Sequence, residues 1–299
     1  MKQFNKIYFN GCSFTAGGGL EVPSEKDIHA VWPINGYKQK GLDIDWKHNK
    51  EVAYPQRVSD ELNIKVINDS IQGGSWSRVV RSFWEYVSNN DESNTLFVLE
   101  YPGGLRDEFF STKLNDYILV NTAATIDWIM ESYKKTSGQR SYENLDFNKD
   151  RNIVYEPLKS YYQYLFNPDC ILHFKKEIIS MYGILLHCEN NKIPLIISNP
   201  NRLLNQCTDK NFVKQFKKLF NQEFKYSKFT EHILDFCTER KLKICDDLVG
   251  LVAGYKSTEI KDGQNVKTEP YEYNDAHPGY YGHIEYGKYL TEKIQEWYK

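Results

Sequence analysis

Five short segments of the chain are nearly continuous in apolar or β-branched residues: Ile7–Phe9, Ile64–Ile67, Leu96–Leu99, Ile193–Ile197 and Leu242–Ile244. Runs of this length predict strands covered on both faces. Between them the apolar positions change period. Pro55–Leu62 opens on a proline and is amphipathic, as a helix start allows. Ser75 can cap a helix that carries Val79, Val80, Phe83 and Val87 on one face. Asp169 can cap a longer helix whose Ile171, Phe174, Ile178, Met181, Leu185 and Cys188 recur at spacings of three and four. Asn190-Asn191-Lys192 ends it. Phe229–Arg240 predicts a helix before the fifth strand, and a last helix carries Ile284, Leu290, Ile294 and Trp297.

Strands that alternate with helices predict a parallel sheet with right-handed crossovers. The expected fold class is α/β: a three-layer α/β/α sandwich around a mostly parallel five-stranded sheet. We read residues 1–299 as a single domain. Three stretches exceed the minimal pattern and read as insertions, at about 17–50, 106–167 and 198–227; the second contains a plausible helix near Thr122–Lys134. Loops that long are usually covers or decorations. In such sheets ligands bind beyond the carboxyl ends of the strands. Ser13 follows strand one, Gly73-Gly74 follows strand two and Tyr101–Arg106 follows strand three, so all three fall on that edge.

Composition narrows the function classes. With 299 residues, 40% hydrophobic and 26% charged, the chain is ordinary for a globular protein. The formal net charge is -2, without a long basic tract, which gives nucleic-acid binding no electrostatic support. No stretch reaches the apolar length of a membrane span. Met1–Lys6 lacks the apolar core and cleavage site of a signal peptide. Cys12, Cys170, Cys188, Cys207, Cys237 and Cys245 are widely spaced and form no CxxC pair, so neither a zinc site nor a disulfide framework is expected. A cytoplasmic location follows as an expectation. The histidines are scattered, so no metal and no organic cofactor is implied. The 22 tyrosines and 16 phenylalanines serve core packing first, with sugar binding a lesser use.

Candidate chemistry sits at the two ends. Ser13, in Phe9-Asn10-Gly11-Cys12-Ser13-Phe14-Thr15, places a hydroxyl just after the first strand. Asp275-Ala276-His277-Pro278-Gly279 supplies an acid and an imidazole two residues apart. These are the parts of a Ser-His-Asp hydrolytic site, in one of its workable chain orders. Each has a plainer use: Ser13 as a turn or N-cap serine, and the Asp275–His277 pair as an Asx-turn with a surface histidine. His283, the competing histidine, has no acid at the same offset and reads as a helix-face residue. Gly73, between a strand and a helix, can offer its N–H to a developing oxyanion or simply serve the turn. Neither G-x-G-x-x-G nor a Walker lysine is present, which excludes nucleotide binding.

In this order and spacing the pieces resemble the SGNH/GDSL hydrolase family, in its divergent G-C-S-F-T branch. Gly11-Cys12-Ser13-Phe14-Thr15 matches the nucleophile block with Cys12 in place of the usual Asp. Gly73, in Asn68…Gly73-Gly74-Ser75…Arg78, matches the second block, and Asp275-Ala276-His277-Pro278-Gly279 matches the last in its D-x-H form. The third block departs. The family usually has G-x-N-D there, whereas this chain has Tyr101-Pro102-Gly103-Gly104-Leu105-Arg106-Asp107-Glu108 and no Asn. The resemblance implies a flavodoxin-like fold and a triad of Ser13, His277 and Asp275. Its oxyanion hole is made by the Ser13 and Gly73 N–H groups, with Gly104 N–H or Arg106 as further candidates. The activity implied is ester hydrolysis, with removal of a small acyl group such as acetyl from a carbohydrate as the expected reaction. The expected partner is thus a small-molecule or glycan ester. The alternatives are O-acyl transfer and a non-catalytic binding module on the same fold.

Overall fold

The computed structural model describes residues 4–17, 50–71, 74–103, 106–111, 116–121, 171–198, 200–240, 258–261, 264–267, 278 and 280–298. In chain order the elements are β1 (Lys6–Asn10), α1 (Ser13–Ala16), α2 (Tyr54–Leu62), β2 (Lys65–Asn68), α3 (Trp76–Asn89), β3 (Thr95–Glu100), β4 (Arg106–Ser111), β5 (Asp116–Asn121), α4 (Ile171–Asn191), β6 (Leu195–Ser198), α5 (Pro200–Gln206), α6 (Lys210–Phe220), β7 (Ser227–Thr230), α7 (Ile233–Glu239), β8 (Thr258–Lys261), β9 (Gln264–Lys267) and α8 (Tyr280–Tyr298).

Five strands form one parallel sheet in the order β2-β1-β3-β6-β7. Alternate residues of each strand face opposite sides, and the two sides have separate cores. Tyr8, Phe97, Leu99, Leu195 and Ile197 pack with Trp76, Val79 and Phe83 of α3 and with Phe174, Ile178, Met181 and Leu185 of α4. Ile7, Phe9, Leu96, Val98 and Ile196 pack with Tyr54 and Val58 of α2, Phe236 of α7, and Tyr286, Leu290 and Ile294 of α8. The result is a three-layer α/β/α sandwich. Every residue of β3 is buried, which is why its sequence shows no alternation.

Local signals set the helix ends. The Ser75 hydroxyl accepts from Arg78 N at 3.1 Å, capping α3 as its sequence suggested. Helix α4 closes at Lys192, which takes the left-handed φ of 57° while Ile193 N donates to Cys188 O at 2.8 Å. One strand of the sheet overlaps the start of an expected helix. It is Ser227–Thr230, and Phe229 and Thr230 are strand residues, whereas the helix expected from Phe229 begins at Ile233. The His232 ring causes that late start: its Nδ1 accepts from Leu234 N at 3.2 Å and caps α7. Leu242–Ile244, the cap Asp169 and the expected helix near Thr122–Lys134 lie outside the described residues. In the stretch from 198 to 227, α5 and α6 contribute Leu203, Leu204 and Phe220 to the core.

The antiparallel hairpin β4–β5, with Arg106 opposite Asn121, is fastened to α3 and α4 by buried charge. Arg81 makes a bidentate pair with Glu108 at 2.7 and 3.1 Å. Lys176 Nζ donates to Asp107 Oδ2 at 2.7 Å. His173, 3% exposed, stands between Asp107 at 3.6 Å and Glu177 at 3.2 Å. Tyr101 OH also donates to Glu177, at 2.8 Å. Burial alone would lower the His173 pKa, but Asp107 and Glu177 outweigh it and hold it at about 9, above the ordinary 6.5. Burial would raise that of Asp107, but His173 and Lys176 hold it well below the usual carboxylate range. A raised histidine pKa stabilises the fold fully below 6.5, and that contribution is lost as pH rises through about 9. Urea midpoints should therefore fall between pH 6.5 and 9 by more in the wild type than in His173→Gln. Parallel pH profiles for the two would refute this origin.

Candidate functional site

Ser13 is the first residue of α1, directly beyond the carboxyl end of β1, and is 5% exposed. The turn that carries it, Gly11–Thr15, is built against the end of β3. Glu100, the last residue of that strand, is 2% exposed. Its Oε1 accepts from Cys12 Sγ at 3.1 Å and from His232 Nε2 at 2.8 Å. Its Oε2 accepts from the Thr15 hydroxyl. Because His232 Nδ1 already accepts the Leu234 N–H, the ring proton is assigned to Nε2. Both His232 nitrogens are thus engaged, and this buried histidine is no base for Ser13. Tyr54 OH lies 2.9 Å from Thr15 Oγ1, and since Thr15 donates to Glu100, Tyr54 is the donor of that pair.

Gly11 is required by closeness. A Cβ there would stand 2.6 Å from Thr15 Oγ1, 2.7 Å from Glu100 Oε2 and 2.8 Å from Glu100 Cβ. Gly11→Ala should cost about 1–3 kcal/mol by overpacking and displace the Ser13 turn. Chemical denaturation would measure it, and a loss below about 0.5 kcal/mol, typical of a neutral surface change, would refute the crowding. Gly74 abuts the same turn: its Cβ would lie 2.6 Å from Gly11 O and 3.4 Å from Cys12 Cα. Gly74, whose N–H donates to Ile71 O at 3.2 Å, therefore rests on the backbone just before Ser13.

A second polar set secures the end of β1 from the other side. Arg78 donates through Nη1 to Asn10 Oδ1 at 2.9 Å and through Nη2 to Asp69 Oδ1 at 3.2 Å. Tyr8 OH donates to Asp69 Oδ2 at 2.8 Å. Asn68 Nδ2 reaches across to Thr15 O at 3.0 Å. Beyond Asp69, an open cleft of about 360 Å³ between β2 and α3 is lined by residues including Tyr8, Glu85 and Tyr86. The last helix joins the edge through His283, fully buried, whose Nδ1 accepts Tyr54 N at 3.2 Å and whose ring stacks on Tyr54 at 5.8 Å. His283 thus lies on the inward face of α8.

The thiol beside Ser13 is inert by its surroundings. Burial, then the Glu100 carboxylate, pushes the Cys12 pKa far above that of a free thiol. Burial also raises that of Tyr54 well above the phenol range. Arg106, at the start of β4, has a buried Nη1 that makes no hydrogen bond to the described residues. Gly73, Gly104, Asp275 and His277 lie outside the described residues; Gly74, Gly103 and buried Pro278 are their described neighbours. Among the described residues, no group of three or more His, Cys, Asp or Glu side chains is arranged to hold a metal ion, and no helix is long and apolar enough to cross a membrane. Sequence reasoning missed Glu100 and His232. The available signal was a carboxylate closing an otherwise apolar central strand.

No family model and no curated protein matches the chain. Among solved structures it is similar to a carbohydrate esterase whose active site displays divergent catalytic and non-catalytic binding functions, with 12% identity over 99% of this chain and 66% of that one, TM-score 0.42. It is similar to the psychrotrophic esterase EstA from Pseudoalteromonas sp., with 11% identity over 98% of each chain, TM-score 0.41. A third is an acetyl xylan esterase, Est2A, from the rumen bacterium Butyrivibrio proteoclasticus, with 12% identity over 98% of this chain and 64% of that one, TM-score 0.40. The chain thus spans just under two thirds of the first and third of these proteins. Likeness of this degree says nothing about the chemistry of the present chain, and its fold rests on the sheet order described above.

Proposed function

We propose that this protein is a serine hydrolase of ester bonds, removing a small acyl group such as acetyl from a carbohydrate or related alcohol. Ser13 is the nucleophile, His277 the general base and Asp275 the group that orients the imidazole. The observation that carries this reading is the seat of Ser13: a braced turn at the carboxyl edge of a central parallel strand, where ligands of such sheets bind. The start of α8 supports it. Pro278 is buried, and His283, six residues after His277, is hydrogen-bonded to the residue whose hydroxyl meets Thr15.

In the reaction the Ser13 oxygen attacks the ester carbonyl carbon while His277 takes its proton. The oxyanion of the tetrahedral intermediate accepts from the Ser13 and Gly73 N–H groups. The intermediate collapses, the carbon–alkoxide bond breaks, and His277 gives its proton to the departing alcohol. Water then attacks the acyl-enzyme, His277 again taking and returning the proton, and the carboxylic acid leaves. The usual third-block Asn is missing, and one lost oxyanion donor costs about 2.7–4 kcal/mol of transition-state stabilisation. Arg106 and the Gly104 N–H are the groups that can make up this loss, and Arg106 Nη1, which has no hydrogen-bond partner among the described residues, favours Arg106.

The test is labelling with a fluorophosphonate and locating the adduct by peptide mass spectrometry, in the wild type and His277→Ala. Rapid modification of Ser13 that disappears in the variant is the expected result. A folded wild type that takes no label overturns the hydrolase reading and leaves a binding module on the same sheet edge. If the acyl group passes to an added alcohol faster than to water, the enzyme is an acyltransferase.

A further inference from the structure

We propose that Glu100 is the positioning residue of the Ser13 turn: from beneath the sheet edge its carboxylate fixes the segment Gly11–Thr15 and thereby the direction of the Ser13 hydroxyl. The inference rests on the reading of Ser13 as nucleophile for its catalytic meaning, and on geometry for the rest. Glu100 meets the segment on both sides of Ser13, taking the Cys12 thiol on one oxygen and the Thr15 hydroxyl on the other. It also presses on Gly11, where any side chain would collide with it. Glu100 thus binds two members of the five-residue turn and closes against a third. The brace is itself anchored, because His232 ties Glu100 to the start of α7 and Tyr54 ties Thr15 to α2 and α8.

At 2% exposure Glu100 is out of reach of substrate, so it acts only through the turn. Its two oxygens accept three hydrogen bonds, from a thiol, an imidazole N–H and a hydroxyl. An amide of the same shape has one acceptor and one donor end. In Glu100→Gln the amide N–H either faces the Cys12 and His232 donors or forces the Thr15 hydroxyl to turn round and accept it, and in both arrangements the charged acceptor that holds the turn is lost.

The experiment measures Ser13 labelling by a fluorophosphonate and Cys12 alkylation by iodoacetamide, both by mass spectrometry, in folded wild type, Glu100→Gln, Thr15→Val and Thr15→Ser. Displacing a nucleophile by about 1 Å costs about a hundredfold in rate. Glu100→Gln and Thr15→Val should slow Ser13 labelling by about this factor and speed Cys12 alkylation at least tenfold. Thr15→Ser, which keeps the hydroxyl, should behave as the wild type. With a short ester the loss should fall on kcat and leave KM within about twofold, a split that simple loss of folded protein would not produce. Unchanged Ser13 labelling in folded Glu100→Gln overturns the proposal. If the wild type itself takes no label, the hydrolase reading fails separately. Cys12 alkylation then decides alone: acceleration in Glu100→Gln supports the brace and an unchanged rate overturns it.

Discussion

Ser13→Ala is expected to abolish ester turnover, a fall on the order of a millionfold in kcat where a serine nucleophile is removed. The change deletes one oxygen from a residue that is 5% exposed and lies in a short helical turn. Alanine is the best helix former, and the backbone N–H proposed for the oxyanion is retained. The fold should therefore survive, and the brace through Cys12, Thr15 and Glu100 involves no Ser13 side-chain atom in the bonds described above. Release of p-nitrophenol from a series of short acyl esters, with a melting curve for each protein, separates loss of chemistry from loss of structure. A well-folded variant within tenfold of the wild type would exclude Ser13 as the nucleophile.

The second large effect is on stability. His232→Ala should cost about 1–3 kcal/mol, the usual result of leaving a buried acceptor without its donor, with about 1 kcal/mol of it from the lost cap of α7. His232 is fully buried and Glu100 is 2% exposed, so the pair is closed to bulk water in the folded protein. Glu100 Oε1 would keep only the weak thiol donor of Cys12. The double variant with Glu100→Gln should lose less than the sum of the single losses, because the stranded carboxylate is gone. Urea unfolding of the four proteins tests the coupling. Additive losses, or a single loss under about 1 kcal/mol, would show that the pair contributes little beyond the cap.

The sequence makes the apolar middle of the sheet legible because burial on both faces leaves continuous runs such as Leu96–Leu99. The edge strand Ser-Lys-Phe-Thr escaped because only its first and last residues are buried, so nothing apolar announces it. The hairpin β4–β5 escaped for a related reason: Arg106, Asp107 and Glu108 look like a surface loop until Arg81 is seen to pair with Glu108, and Lys176 and His173 with Asp107. In the candidate site, Ser13 was legible from its glycine-bearing strand exit. The Glu100–His232 pair was not, because its members are 132 positions apart and meet only once β3 and the start of α7 are in place. A scan for local motifs has no means of pairing them. Asp275 and His277 are legible as a motif, and their role rests on the proposed chemistry.

The hydrogen bond from Tyr54 N to His283 spans 229 positions, and α8 is the last of the described elements. The start of α2, and through the Tyr54 hydroxyl the side of the Ser13 turn, is therefore completed by residues that leave the ribosome late. Contacts so distant in sequence form slowly, after the local ones. During synthesis the segment Gly11–Thr15 exists long before α8 does, so a nascent chain that still lacks α8 holds this turn without the contacts that close around Tyr54.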